Sequence, residues 1–134
     1  MERIEFIISE FQKCNIKLSQ DKADKLLKLY EFLVEYNKNV NLTAITDFEE
    51  VVVKHFIDSV LPFSMIDIKE NSSFIDVGTG AGFPSIPLMI VRPDLKGTLL
   101  EALNKRCVFL EKACELTEVD AKVIHGRAED YAKE

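Results

Sequence analysis

The chain has 134 residues, of which 47% are hydrophobic and 30% charged. That composition suits one globular domain, or a small domain with part of another, and excludes a disordered chain. No run approaches the ~18 apolar residues of a membrane span, and the first residues lack a signal-peptide core, so a cytoplasmic protein without membrane contact is expected. A formal net charge of −6 argues against a uniformly basic nucleic-acid binder, while leaving room for a local basic patch.

The first half reads as helices. In ERIEFIISEFQKC, Ile4, Ile7, Ile8 and Phe11 repeat at helical spacing. Ser19 is placed to cap a longer helix with Ala23, Leu26, Leu27, Tyr30, Leu33 and Val34 along its apolar stripe, running towards Asn37. In TDFEE, Thr46 and Glu49 have the spacing of a capping box. A third helix is expected after it, with Val52, Val53, Phe56, Ile57 and Val60 inward, until Pro62 stops it.

A polar stretch over 67–73 marks a change of rhythm and a boundary, dividing the chain into 1–66, helical, and 67–134, α/β. FIDV (74–77) is a short apolar run ended by glycines, hence a buried strand. SIPLMIV (85–91) fits one or two helical turns, with Pro87 near enough to the start to be tolerated and Pro93 closing it. TLLEA (98–102) is a second strand, 104–118 a helix that Asn104 is placed to cap, and AKVIH (121–125) a third strand. This alternation predicts two βαβ crossovers and parallel strands. Cys14, Cys107 and Cys114 are odd in number and lack C-x-x-C spacing, so reduced thiols are expected, with no disulfide and no metal site.

The segment 74–88, FIDVGTGAGFPSIPL, carries the chemistry. Its pattern is Asp76-x-Gly78-x-Gly80-x-Gly82, and Phe83 breaks the dinucleotide fingerprint. Glycines there let the backbone turn tightly and approach a ligand. Glu101 follows at the end of the next strand, 23 residues after Gly78, where a carboxylate meets two ribose hydroxyls. A dinucleotide would satisfy Glu101 equally well. Asp76 discriminates, because beside a pyrophosphate it brings like-charge repulsion, whereas a sulfonium and an ammonium attract it. The three features together favour S-adenosylmethionine over NAD. Each alone also has a structural reading: glycines in a turn, Asp76 capping it, Glu101 merely solvated.

At these residues the sequence resembles the bacterial small-subunit ribosomal RNA guanine-N7 methyltransferases, the glucose-inhibited division protein B family. The resemblance rests on YNKNVNLTAIT (36–46), KHFIDSV (54–60), DVGTGAGFPSIPL (76–88), KRCVFL (105–110) and GRAE (126–129). Tyr36 stands for the family's usual tryptophan, Thr79 for serine and Ser85 for glycine. The resemblance implies an α/β, Rossmann-like methyltransferase fold, here its first three parallel strands after a helical N-terminal region. It also implies methyl transfer from S-adenosylmethionine to N7 of a guanine in 16S ribosomal RNA. Family members run on for roughly another hundred residues, so the chain is expected to be truncated, its first strand lacking a neighbour. That edge is expected either to self-associate or to be covered by the N-terminal helices.

By position, the resemblance puts Gly78, Thr79, Gly80 and Gly82 under the methionine portion of the cofactor. Asp76 orients the loop or meets the cationic end, and Phe83 flanks the pocket. Glu101 takes the ribose, Ala102 and Leu103 lie beside the adenosine, and Ala128 and Glu129 meet the adenine edge. Guanine N7 offers an unprotonated lone pair, so no dedicated acid–base catalyst is expected. His55 (with Asp58), Lys105 and Arg106 are candidate RNA contacts, each with a structural alternative: a local hydrogen bond for His55, a solvated basic pair for the others. His125 reads as a packed histidine, and Lys54, Arg92 and Arg127 as a candidate basic rim. Competing readings are a non-catalytic module, a methyltransferase for a small molecule or protein, and, last, an NAD-linked oxidoreductase.

Overall fold

The computed structural model describes residues 2–127. Helix α1 (Arg3–Lys13) and helix α2 (Gln20–Asn37) lie where the apolar spacing puts them, with the Ser19 hydroxyl accepting from the Lys22 N–H at 3.2 Å. Ile7 and Phe11 of α1 and Ala23, Leu26, Leu29, Tyr30 and Leu33 of α2 are buried. Tyr30 reaches across to donate to the Thr46 carbonyl at 2.9 Å.

The third helical segment differs from expectation in three ways. Its cap is Asp47, whose carboxylate accepts from the Glu50 N–H at 3.2 Å, so no Thr46–Glu49 capping box forms. After α3 (Phe48–Val51) the backbone loosens into a π-helical turn, Val52–Ile57, before α4 (Asp58–Ser64). The extra residue per turn rotates the face: Val52, Phe56, Ile57 and Val60 stay buried, while Val53 turns to solvent. Pro62 lies inside α4 instead of ending it. Only Phe63 and Ser64 follow it, so the missing N–H costs a single bond in the final turn.

Strand β1 (Ser73–Val77), helix α5 (Ser85–Val91), strand β2 (Lys96–Glu101), helix α6 (Asn104–Leu116) and strand β3 (Lys122–His125) complete the described fold. The sheet has order β1-β2-β3 and is parallel throughout. Pairing Val77 with Leu100 and Glu101 with His125 aligns the three carboxyl ends. The expected Rossmann-like arrangement of helices followed by parallel strands is therefore present. Asn104 is the first residue of α6 and not its cap; the extended Leu103 holds that place without a side-chain bond.

One buried cluster joins the helices to the sheet, running from Ile7 and Phe11 through Leu26, Leu33 and Phe56 to Leu99, Phe109 and Leu110. Phe32 of α2 stacks on Phe109 of α6 at 5.3 Å, and Lys22 donates to the Val91 carbonyl at the end of α5 at 2.8 Å. Arg92 grips Asp94 through two nitrogens at 2.9 Å each and donates to the Ile68 carbonyl at 3.2 Å. Asp94 also takes the Asn71 N–H at 2.9 Å. These bonds, Arg92 foremost, hold the Asp94 carboxyl well below the usual carboxylate range.

The N-terminal helices do not cover β1. Among the described residues β1 pairs with β2 alone, and Ile75 and Val77 are 48% and 54% exposed. Gly78 donates to the Leu100 carbonyl and Ser72 accepts from the Lys96 N–H, so the even-numbered residues face β2. By alternation, Ser73, Ile75 and Val77 turn their N–H and C=O groups outward.

Candidate cofactor site at the carboxyl ends of the strands

The glycine loop leaves β1 where the sheet ends. Gly78, Gly80 and Gly82 have φ of +68°, +61° and +87°, a region costly for residues with a Cβ. A Cβ at Gly80 would meet no atom within 4 Å, so its constraint is conformational; one at Gly82 would lie 2.6 Å from Ile86 Cδ1. Gly82 therefore also permits the close approach of α5. The Gly82 N–H donates to the Thr79 carbonyl at 3.0 Å and its carbonyl accepts from the Ile86 N–H at 2.8 Å.

Glu101 organises the loop. Its side chain is buried, 3% exposed. Oε1 accepts from the Gly80 N–H and Oε2 from the Leu103 N–H, each at 2.9 Å. A buried carboxylate needs such partners, and about four lone-pair sites leave room for further donors.

Beside the loop lies a cleft of ≈ 300 Å³ lined by Val77, Gly78, Leu100, Glu101, Ala102, Gly126 and Arg127. Of the residues expected from sequence, Gly78, Glu101 and Ala102 meet there. Val77, Leu100 and Gly126 were not singled out; their position at the strand ends was the available signal. Arg127 lines the same cleft. Leu103 is exposed just past β2. Ala128 and Glu129 lie outside the described residues.

Asp76 sits elsewhere. Its side chain faces α5, where it accepts the Ser85 hydroxyl, and it lines a second, largely apolar cleft of ≈ 330 Å³ with Phe63, Ile68, Phe74 and Leu88. Ser85, itself 1% exposed, thus joins the strand end to the start of α5. Thr79 is 5% exposed, and its Oγ1 has no hydrogen-bond partner among the described residues. An orphaned buried hydroxyl is costly, which suits a site completed by a bound group.

The remaining candidates separate. His55 bonds Thr43 at 2.9 Å rather than Asp58, and stacks on Phe83 with centroids 4.7 Å apart. Burial pushes its imidazole below the ordinary value, partly offset by the Asp58 charge. Lys105 and Arg106 occupy the first turn of α6, the former exposed. Arg92 is engaged by Asp94, and Lys54 lies 3.4 Å from Glu50, so neither is an unengaged cation. His125 reaches the Ala102 carbonyl at 3.0 Å. Cys107 and Cys114 are buried free thiols, and burial pushes Cys114 up to about 11. Among the described residues no group of three metal-ligating side chains occurs, and no helix is long and apolar enough to cross a membrane.

A family model described as rRNA small subunit methyltransferase G (GidB) matches residues 22–134. The chain is 46% identical over 131 residues to "Ribosomal RNA small subunit methyltransferase G" of a Staphylococcus epidermidis strain, covering 97% of this chain and 55% of that protein. A protein of the same name from Thermoanaerobacter sp. is 46% identical over 132 residues, with 98% and 55% covered. A third, from Staphylococcus haemolyticus, is 43% identical over 134 residues, with 99% and 56% covered. The chain spans about half the length of the curated relatives it matches.

Proposed function

The chain belongs to the GidB family, rRNA small subunit methyltransferase G, and from that premise we propose that it binds S-adenosylmethionine at the carboxyl ends of β1 and β2, as the cofactor-binding part of a 16S ribosomal RNA guanine-N7 methyltransferase. The observation that carries this reading is the glycine loop itself, held to Glu101 through Gly80 beside a cleft at the strand ends. The residues fit such a group: open space stands where Gly78 and Gly80 would carry a Cβ, and the Thr79 hydroxyl lacks a partner among the described residues.

When bound, the cofactor would supply an electrophilic methyl group, which the unprotonated lone pair of guanine N7 could take without a general base from this chain. The protein's task is then alignment and exclusion of water. Glu101 keeps spare acceptor capacity for ribose hydroxyls, with Ala102 and Leu103 beside the base and Ala128 and Glu129 at its edge. Gly78, Thr79, Gly80 and Gly82 carry the methionine portion, with Phe83 behind them. Asp76 acts through Ser85 on the start of α5 and so on the orientation of the loop. In this reading 1–66 supports the cofactor part, 67–134, and Lys105 and Arg106 meet RNA phosphate, in the cytoplasm where small subunits are assembled.

Transfer of a labelled methyl group from S-adenosylmethionine to small ribosomal subunits tests the catalytic reading. Binding without transfer would favour the reading of this chain as a non-catalytic module. We also propose that this chain self-associates through β1, because Ser73, Ile75 and Val77 turn outward backbone groups that are unpaired among the described residues.

A further inference from the structure

A continuous set of contacts joins the loop after α2 to the glycine loop. Asn37, the last residue of α2, accepts the Leu42 and Thr43 N–H groups at 2.8 and 3.0 Å and donates to the Thr43 carbonyl at 3.0 Å. Thr43 Oγ1, so placed, accepts from the Ile45 N–H at 3.1 Å and meets His55 Nε2 at 2.9 Å. The His55 ring lies nearly parallel to Phe83, 13° between planes. Phe56, its neighbour in the π-helical turn, meets Phe83 edge-on at 6.1 Å. Phe83 directly follows Gly82, which is bonded to Thr79 on one side and Ile86 on the other. No step in this chain relies on an exposed ion pair.

We infer that His55 is a positioning residue: held by Thr43 and stacked on Phe83, it sets the glycine loop for cofactor binding and couples the 38–46 loop to the site. This role rests on the reading of the site as one for S-adenosylmethionine. It differs from an RNA contact, because the imidazole is committed to Thr43 and to the Phe83 face. It differs from simple packing, because loss of the hydroxyl at the far end of the chain of contacts, in Thr43→Val, must be felt at Gly80 and Gly82.

The test uses the whole chain labelled with nitrogen-15, S-adenosylmethionine as probe, and the variants His55→Ala, His55→Phe, Thr43→Val and Thr43→Ser. In ligand-free protein, His55→Ala and Thr43→Val are expected to move the Gly80 and Gly82 amide signals. Both should weaken S-adenosylmethionine binding by roughly 3- to 10-fold, the range of an aromatic pair. His55→Phe keeps the stack and loses the bond, so it should fall between His55→Ala and the parent; Thr43→Ser keeps the hydroxyl and should match the parent. Thr43→Val shifts confined to residues 37–46, or unchanged affinity in His55→Ala, would overturn the inference. Should His55→Ala not fold, the Thr43→Val and Thr43→Ser pair decides alone. If the parent itself does not bind S-adenosylmethionine, the functional reading fails separately, and the ligand-free glycine signals still decide the positioning role.

Discussion

Glu101 and Gly80 are joined by a hydrogen bond of 2.9 Å from the loop N–H to a buried carboxylate, whose second oxygen takes the Leu103 N–H. Two donors converge on one side chain, and only a carboxylate offers both an acceptor. Glu101→Gln would turn its amide NH₂ towards one of those N–H groups. We expect Glu101→Gln to destabilise the ligand-free protein nearly as much as Glu101→Ala, by about 1–3 kcal/mol, in urea unfolding. A side chain serving only the ribose would leave ligand-free stability unchanged.

The three loop glycines should not be equivalent. Gly80→Ala meets open space and carries only the cost of positive φ, about 1–2 kcal/mol. Gly82→Ala adds contacts at 2.6 Å to Ile86 and 3.0 Å to Leu110, which overpacking puts at roughly 1–3 kcal/mol more. Urea midpoints should therefore rank parent, then Gly80→Ala, then Gly82→Ala. The reverse order of the two variants would contradict the packing described for α5.

His55 should impose a pH dependence on stability. Burial lowers its pKa in the folded state, so between that lowered value and its ordinary value of about 6.5 the unfolded chain binds more protons. Stability from this group is fully present above the ordinary value and falls as pH drops through it towards the folded value. His55→Phe should flatten the difference in unfolding free energy between pH 7.5 and pH 5.5 relative to the parent. An identical pH dependence in the two proteins would refute the assignment.

Edge pairing has its own test. Two copies related by a two-fold axis through Ile75 would exchange hydrogen bonds there and set Ser73 against Val77. Ile75→Pro removes an outward N–H while leaving the ladder to β2 intact. In sedimentation, the parent should show a concentration-dependent dimer and Ile75→Pro a monomer. A parent that stays monomeric throughout would exclude the edge as an interface.

Much of the fold could be read from periodicity and punctuation, because the apolar stripes of α1 and α2 and the glycines after β1 act locally. Ser19 capped α2 as its position implies, whereas Thr46 yielded to Asp47, one residue later and equally able to accept. The π-helical turn and the continuation through Pro62 follow from packing Phe56 and Val60 into the common core, which local spacing does not encode. At the candidate site, the loop and Glu101 were visible as residue types. The long-range bonds were not: Glu101 to Gly80, Asp76 to Ser85, and His55 to Thr43 span 21, 9 and 12 positions. Arg92 illustrates the same limit, since a basic residue in sequence became the anchor of Asp94 in the fold.

The central claim is that the acid-flanked glycine loop takes a cationic, phosphate-free nucleoside. Calorimetric titration of the chain with S-adenosylmethionine and, separately, with NAD tests it most directly. The account predicts saturable binding of S-adenosylmethionine and none of NAD at the same concentrations. Binding of NAD without S-adenosylmethionine would contradict it.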